Sequence, residues 1–144
     1  MKEVIKMQSM GNWDYAVIVK ELQQYVGAYF DKFYICTDGS TLMRLRKGKA
    51  IAIVSDANQL HVAEKPPETL ETPPQFVMIV RKWLENSTLK SIEQVNGDRI
   101  IALNFSGKPG EFSLVFEQFA KGNCLLLNKD GVIVEALKRE EYGA

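Results

Sequence analysis

The sequence predicts an α+β domain, an antiparallel β-sandwich or open barrel of about eight strands carrying two helices. Three observations predict it. Apolar residues recur at helical spacing in only two stretches, 12–30 and 75–84. Most of the remainder is short runs rich in β-branched and aromatic residues, separated by tight-turn sequences. Those runs follow one another directly, so most strands pair with their sequence neighbours rather than through helical crossovers.

The first helix is expected over 12–30, burying Ile18, Leu22, Tyr25, Val26 and Tyr29. Asn12 is its expected N-cap, which places Asp14 in the first turn, where the helix dipole favours an anion. From Phe33 the period becomes two. Runs at 33–37, 41–46 and 50–54, separated by Asp38-Gly39-Ser40 and Lys47-Gly48-Lys49, predict a three-stranded meander. Arg44, Arg46, Lys47 and Lys49 gather at its second turn, as a solvated hairpin tip or as a phosphate-contacting patch. Residues 64–74 hold four prolines, which remove backbone donors and keep their predecessors extended, so this is an intradomain loop. Pro74 suits the first turn of the second helix, whose apolar face is Phe76, Ile79, Val80, Trp83 and Leu84. Arg81 and Lys82 lie near its C-terminal end, where the dipole favours cations. Runs at 89–95, 98–105, 111–119, 123–127 and 132–137 complete the strands.

Composition limits the function classes. The 144 residues fit one ordinary domain, and 46% hydrophobic with 25% charged residues is a soluble globular balance. Eighteen basic and 18 acidic residues cancel, which excludes nucleic-acid binding through global charge but not through a local patch. No apolar run approaches the roughly 20 residues of a membrane span, so no membrane contact is expected. The N-terminus lacks the apolar core of a secretory signal, and the cytoplasm is the expected compartment. Cys36 and Cys124 are read as two buried free thiols, with a disulfide as the geometric alternative. His61 is the only histidine, so no metal or cofactor is expected. There is no glycine-rich phosphate loop or hydrolase motif, and Glu140-Glu141 looks solvated. No catalytic constellation emerges, and an enzyme is not expected.

One short feature stands apart. Asn96-Gly97 is the strongest hairpin signal in the chain and is followed at once by Asp98-Arg99. As a two-residue loop it sets Val95 opposite Asp98 and Gln94 opposite Arg99. Alternation then puts Ile92, Gln94, Arg99, Ile101, Leu103 and Phe105 on the core side, with Arg99 where the core opens to solvent. Asp98 points the other way in a regular strand. For both to serve one ligand, a bulge or strong twist is required at this end.

The succession Pro73-Pro74-Gln75-Phe76-Val77-Met78-Ile79-Val80-Arg81-Lys82, the segment Gln94-Val95-Asn96-Gly97-Asp98-Arg99-Ile100, Phe105 and Gly122-Asn123 resembles the NFACT N-terminal domain of the Rqc2/NEMF/Tae2/RqcH ribosome quality control family. Asp14, seven residues before Glu21-Leu22, fits the same pattern. An archaeal source is expected. The resemblance implies a factor that binds tRNA and a large ribosomal subunit carrying peptidyl-tRNA. Such factors promote mRNA-independent C-terminal tailing of stalled nascent chains, the ribosome supplying the chemistry. Carried over by motif, the implied tRNA-binding residues are Asp14, Asp98 and Arg99, with Arg81 and Lys82 matching the family's Arg-Lys. Full-length members continue into further domains, so residues 1–144 are expected to be one NFACT-N-like domain of a longer multidomain protein, binding tRNA weakly alone. The implied fold is similar to the N-terminal domain of Fpg/Nei DNA glycosylases. Those enzymes use an N-terminal proline, where this chain has Lys2 before Glu3, so a glycosylase-related DNA-binding domain is an alternative without its nucleophile. An extracellular fibronectin-binding adhesin, the older name for bacterial members, is the other.

Overall fold

The computed structural model describes residues 10–138. Lys2, Glu3, Glu140 and Glu141 lie outside them. Helix α1 runs Asn12–Leu22, followed by a 3-10 turn, Gln23–Tyr25. It is shorter than the periodicity predicts because Gly27 takes φ 99°, a left-handed conformation no helix accommodates. Tyr29, expected on the buried helical face, instead opens the first strand and is 59% exposed. The N-cap is Gly11, not Asn12, and the fully buried positions of α1 are Tyr15 and Leu22.

Strands β1 (Tyr29–Ile35), β2 (Thr41–Arg46) and β3 (Ala50–Ser55) form the expected meander. A fourth strand, β4 (Leu60–Val62), extends it and raises the total among the described residues to nine. At three residues it is too short to show a period, and it exists because Asp56 nucleates its turn. The Asp56 carboxylate accepts from the amides of Asn58 and Gln59 at 2.7 and 2.9 Å. The proline-rich loop lies along β1. Thr37 N donates to Glu68 O, and Leu70 N donates to Ile35 O.

Helix α2 (Gln75–Leu84) buries Phe76, Val77, Val80 and Leu84, with Ile79 and Trp83 packed at the margin. The second meander comprises β5 (Thr88–Gln94), β6 (Ile100–Gly107), β7 (Gly110–Glu117), β8 (Asn123–Asn128) and β9 (Ile133–Ala136), all antiparallel. The two meanders join at a single ladder position, Tyr29 opposite Thr88. Beyond it they splay, and α2 packs on β1, β6 and β9. The inner faces then close on one core, in which Phe30 meets Phe105 and Phe33 meets Phe76 edge to face at 5.8 and 5.9 Å. Burying each such ring contributes roughly 1.5–3 kcal/mol. Cys36 and Cys124 are buried and free, as read from the sequence, and burial pushes both thiols up.

Candidate functional site

The Asn96-Gly97 turn forms as its residues dictate. Asn96 and Gly97 are both left-handed, at φ 53° and 68°, and Asp98 N donates to Val95 O at 2.9 Å. The ladder beyond it does not restart as predicted. Gln94 lies opposite Ile101 rather than Arg99, so the connection between β5 and β6 is two residues longer than predicted, and Asp98 and Arg99 stand in a bulged segment just ahead of β6. A displacement of two preserves side-chain parity, which is why Ile101, Leu103 and Phe105 still face the core.

The bulge is held from both sides. The Gln94 carboxamide donates to Asp98 O at 2.8 Å and to Asn12 O at 3.1 Å, tying the turn to the start of α1. Gln118 N donates to Arg99 O at 2.8 Å. The Asp98 carboxylate accepts the Arg99 amide at 2.8 Å and makes no ion pair with the Arg99 guanidinium. Arg99 is half-buried, and no carboxylate among the described residues lies within ion-pairing distance of it. Asp14 accepts the Gly11 amide at 2.9 Å, a capping contact that accounts for an aspartate at this position.

Beneath these groups lies a buried polar chain that the sequence did not announce. The Tyr15 hydroxyl donates to Gln118 Oε1 at 2.7 Å, and Gln118 Nε2 donates to Ser55 Oγ at 2.7 Å. All three side chains are at most 3% exposed. A signal was present: Phe112, Leu114 and Phe116 alternate inward, and the same parity carries Gln118 into the core. Ser55, Asp56 and Gln118 also line a cleft of about 400 Å³ between the β3–β4 and β7–β8 turns.

Burial pushes the Tyr15 hydroxyl up to about 12, with Asp56 and Asp14 adding to the shift and Arg99 opposing it. Tyr15 therefore senses the charges of both Asp14 and Arg99. An unfolded tyrosine ionises near pH 10. The raised folded value makes this contribution to stability complete below about pH 10 and progressively lost as pH rises toward 12, at about 1.4 kcal/mol per pH unit. Urea midpoints measured from pH 9 to 11.5 should show that loss. Tyr15→Phe should make the decline shallower in that window, and an identical decline in both proteins would refute the assignment.

Arg81 and Lys82 belong to a different neighbourhood, and their side chains bond or stack on none of the residues of this cluster. Arg81 Nε donates to Phe33 O at 3.0 Å, occupying a carbonyl left over where β1 departs from β5, and its guanidinium lies 5.0 Å from the Tyr34 ring centroid. Lys82 sits over Trp83 at 5.1 Å, which in turn stacks on Phe112. Among the described residues no His, Cys, Asp and Glu group could hold a metal ion, and no helix is long and apolar enough to cross a membrane.

The fold is shared with the N-terminal domain of the fibronectin-binding protein PavA from Streptococcus pneumoniae, at a TM-score of 0.81 and 25% identity, over 89% of this chain and 53% of that one. The N-terminal part of the fibronectin/fibrinogen-binding protein of Streptococcus suis gives 0.82 at 21% identity. Residues 13–143 match the family described as NFACT N-terminal and middle domains, and the chain belongs to that family. It is 30% identical over 143 residues to the archaeal Rqc2 homolog aRqcH of Methanocaldococcus jannaschii, covering 91% of this chain and 21% of the relative. It is 31% identical over 137 residues to ribosome quality control complex subunit 2 of Saccharomyces cerevisiae, covering 92% and 13%. The family membership read from the motifs is confirmed. The chain spans about a fifth or less of these relatives' length.

Proposed function

We propose that this chain is the RNA-binding domain of a cytoplasmic ribosome quality control factor. It engages tRNA on a large ribosomal subunit that carries peptidyl-tRNA, and so supports mRNA-independent tailing of stalled nascent chains. It acts as a binding factor and not as an enzyme, with peptidyl transfer left to the ribosome. The observation that carries this reading is the Asp98–Arg99 bulge. Its aspartate accepts a backbone amide, and its guanidinium has no carboxylate partner among the described residues. An arginine so placed can donate to base edges, 2′-hydroxyls or phosphate oxygens of an exposed RNA loop. The names of the archaeal and yeast relatives support the setting.

Arg99→Ala should weaken binding of fluorescein-labelled total tRNA about tenfold to a hundredfold, the range for losing one or two hydrogen bonds to a charged group. Asp98→Ala should weaken it by releasing the bulge. Fluorescence anisotropy measures the affinities and circular dichroism verifies folding. Unchanged affinity in folded variants would refute the site. The printed name of PavA favours one competing reading, an adhesin. Saturable binding to immobilised fibronectin that exceeds tRNA binding would replace our proposal with it.

A further inference from the structure

The basic residues of the first meander do not all do the same work. Arg46 is paired with Asp31 at 3.3 Å. Lys47 Nζ donates to Gln24 O and Val26 O, both at 2.8 Å, and so closes the end of the 3-10 turn after α1. These two are structural. Lys32 and Arg44 are different. They lie directly opposite each other in the β1–β2 register, an arrangement of like charges that weakens a sheet. Neither side chain has a hydrogen bond or ion pair among the described residues.

Arg44 is nonetheless held in place. Its guanidinium carbon lies 5.8 Å from the centroid of the Tyr34 ring, and that of Arg81 lies 5.0 Å from the same centroid. Arg81 is anchored through Nε to Phe33 O, which leaves its terminal nitrogens available. A guanidinium held against an aromatic ring keeps its hydrogen-bonding rim open, and that rim matches the oxygens of a phosphate. Lys32, Tyr34 and Arg81 also line a surface groove of about 360 Å³ beside the proline-rich loop, with Glu71 as its one anionic wall residue. In a chain of zero net charge, this is a local concentration of unpaired cations fixed on rigid strands and a helix.

We infer that Lys32, Arg44 and Arg81, ordered around Tyr34, form a phosphate-binding strip that tracks an RNA sugar-phosphate backbone. This strip is separate from the Asp98–Arg99 bulge. The inference rests on the RNA-binding reading above and assigns the division of labour within it: the bulge reads the loop, and the strip supplies affinity without regard to sequence.

The test is the double variant Lys32→Gln/Arg44→Gln, titrated with labelled 20-nucleotide oligo-U, oligo-A and total tRNA from 50 to 250 mM KCl. The slope of log affinity against log salt should become shallower by roughly 0.7–0.9 per lost contact. Affinity at the lowest salt should fall on the order of tenfold, equally for all three probes. The melting temperature should hold or rise, because the opposed charges are gone. An unchanged salt slope overturns the strip, as does absence of RNA binding by the unaltered chain. Competition by polyglutamate at concentrations matching RNA would overturn it in favour of an acidic polypeptide. The two sites fail separately. Loss of affinity in Asp98→Ala with none in the double variant leaves the bulge and removes the strip, and the converse removes the bulge.

Discussion

Gly122→Ala is expected to destabilise the protein by about 2–4 kcal/mol, a fall in Tm on the order of 10 °C for a chain of this size. Two costs combine. Gly122 adopts φ 73°, which an L-residue disfavours by roughly 1–2 kcal/mol. A Cβ at this position would also stand 2.8 Å from Ala57 Cα and 2.9 Å from Ala57 Cβ, inside the contact distance. Because the obstruction is backbone, no rotamer change relieves it. The β3–β4 and β7–β8 turns must part, and the cleft lined by Ser55 and Gln118 widens with them. Gly131 supplies the control. It has a similar φ of 79° and nothing within 4 Å, so Gly131→Ala should cost only the conformational share. Thermal melts of both variants decide the matter. Equal losses would mean the close approach at Gly122 exerts no constraint.

Gln118→Leu should cost a similar amount, about 2–4 kcal/mol, for a different reason. The substitution keeps the inward position but removes both partners of a buried chain, stranding the Tyr15 hydroxyl and the Ser55 hydroxyl. Each buried polar group left unpaired costs roughly 1–3 kcal/mol, whereas removing the whole set together can be close to neutral. Introducing Gln118→Leu into a Tyr15→Phe/Ser55→Ala background should therefore recover most of the loss, a coupling that chemical denaturation of the four-protein cycle measures. Additive losses would show that the three side chains do not act as a unit. The Gln118 amide also bonds Arg99 O, so hydrogen exchange at Gln118 should quicken in the single variant if the polar chain braces the bulge.

Both effects concern residues whose importance the sequence marks only faintly. Gly122-Asn123 belongs to the family pattern, but its glycine is required by Ala57, 65 positions earlier, which no local rule reports. The Asn123 carboxamide accepts the amides of Cys124 and Lys138, the second of which comes from beyond β9. The family resemblance implies an RNA contact for Arg81. The structure adds a job for its Nε at Phe33 O, and that job arises only because β1 leaves β5 after one ladder step.

Periodicity and turn chemistry determined a good deal unaided. They set the meander at β1–β3, the second helix with Phe76, Val80 and Leu84 inward, the α+β class, and the parity that sends Ile101, Leu103 and Phe105 into the core. These are short-range properties, written in the alternation of apolar residues and in the φ preferences of Asn and Gly. What only the tertiary structure decided is the placement of the Asp98–Arg99 pair. Local preference built the left-handed turn at Asn96-Gly97 and stopped there. The two residues that follow leave the β5–β6 ladder, and groups outside the turn hold their carbonyls: Gln94, bridging to Asn12 of α1, takes Asp98 O, and Gln118 N takes Arg99 O. A bulge costs ladder hydrogen bonds and persists where the rest of the molecule replaces them. Here those replacements come from Gln94 at the end of β5, itself anchored on Asn12 of α1, and from Gln118 just past β7, and neither is visible from residues 96–99 themselves.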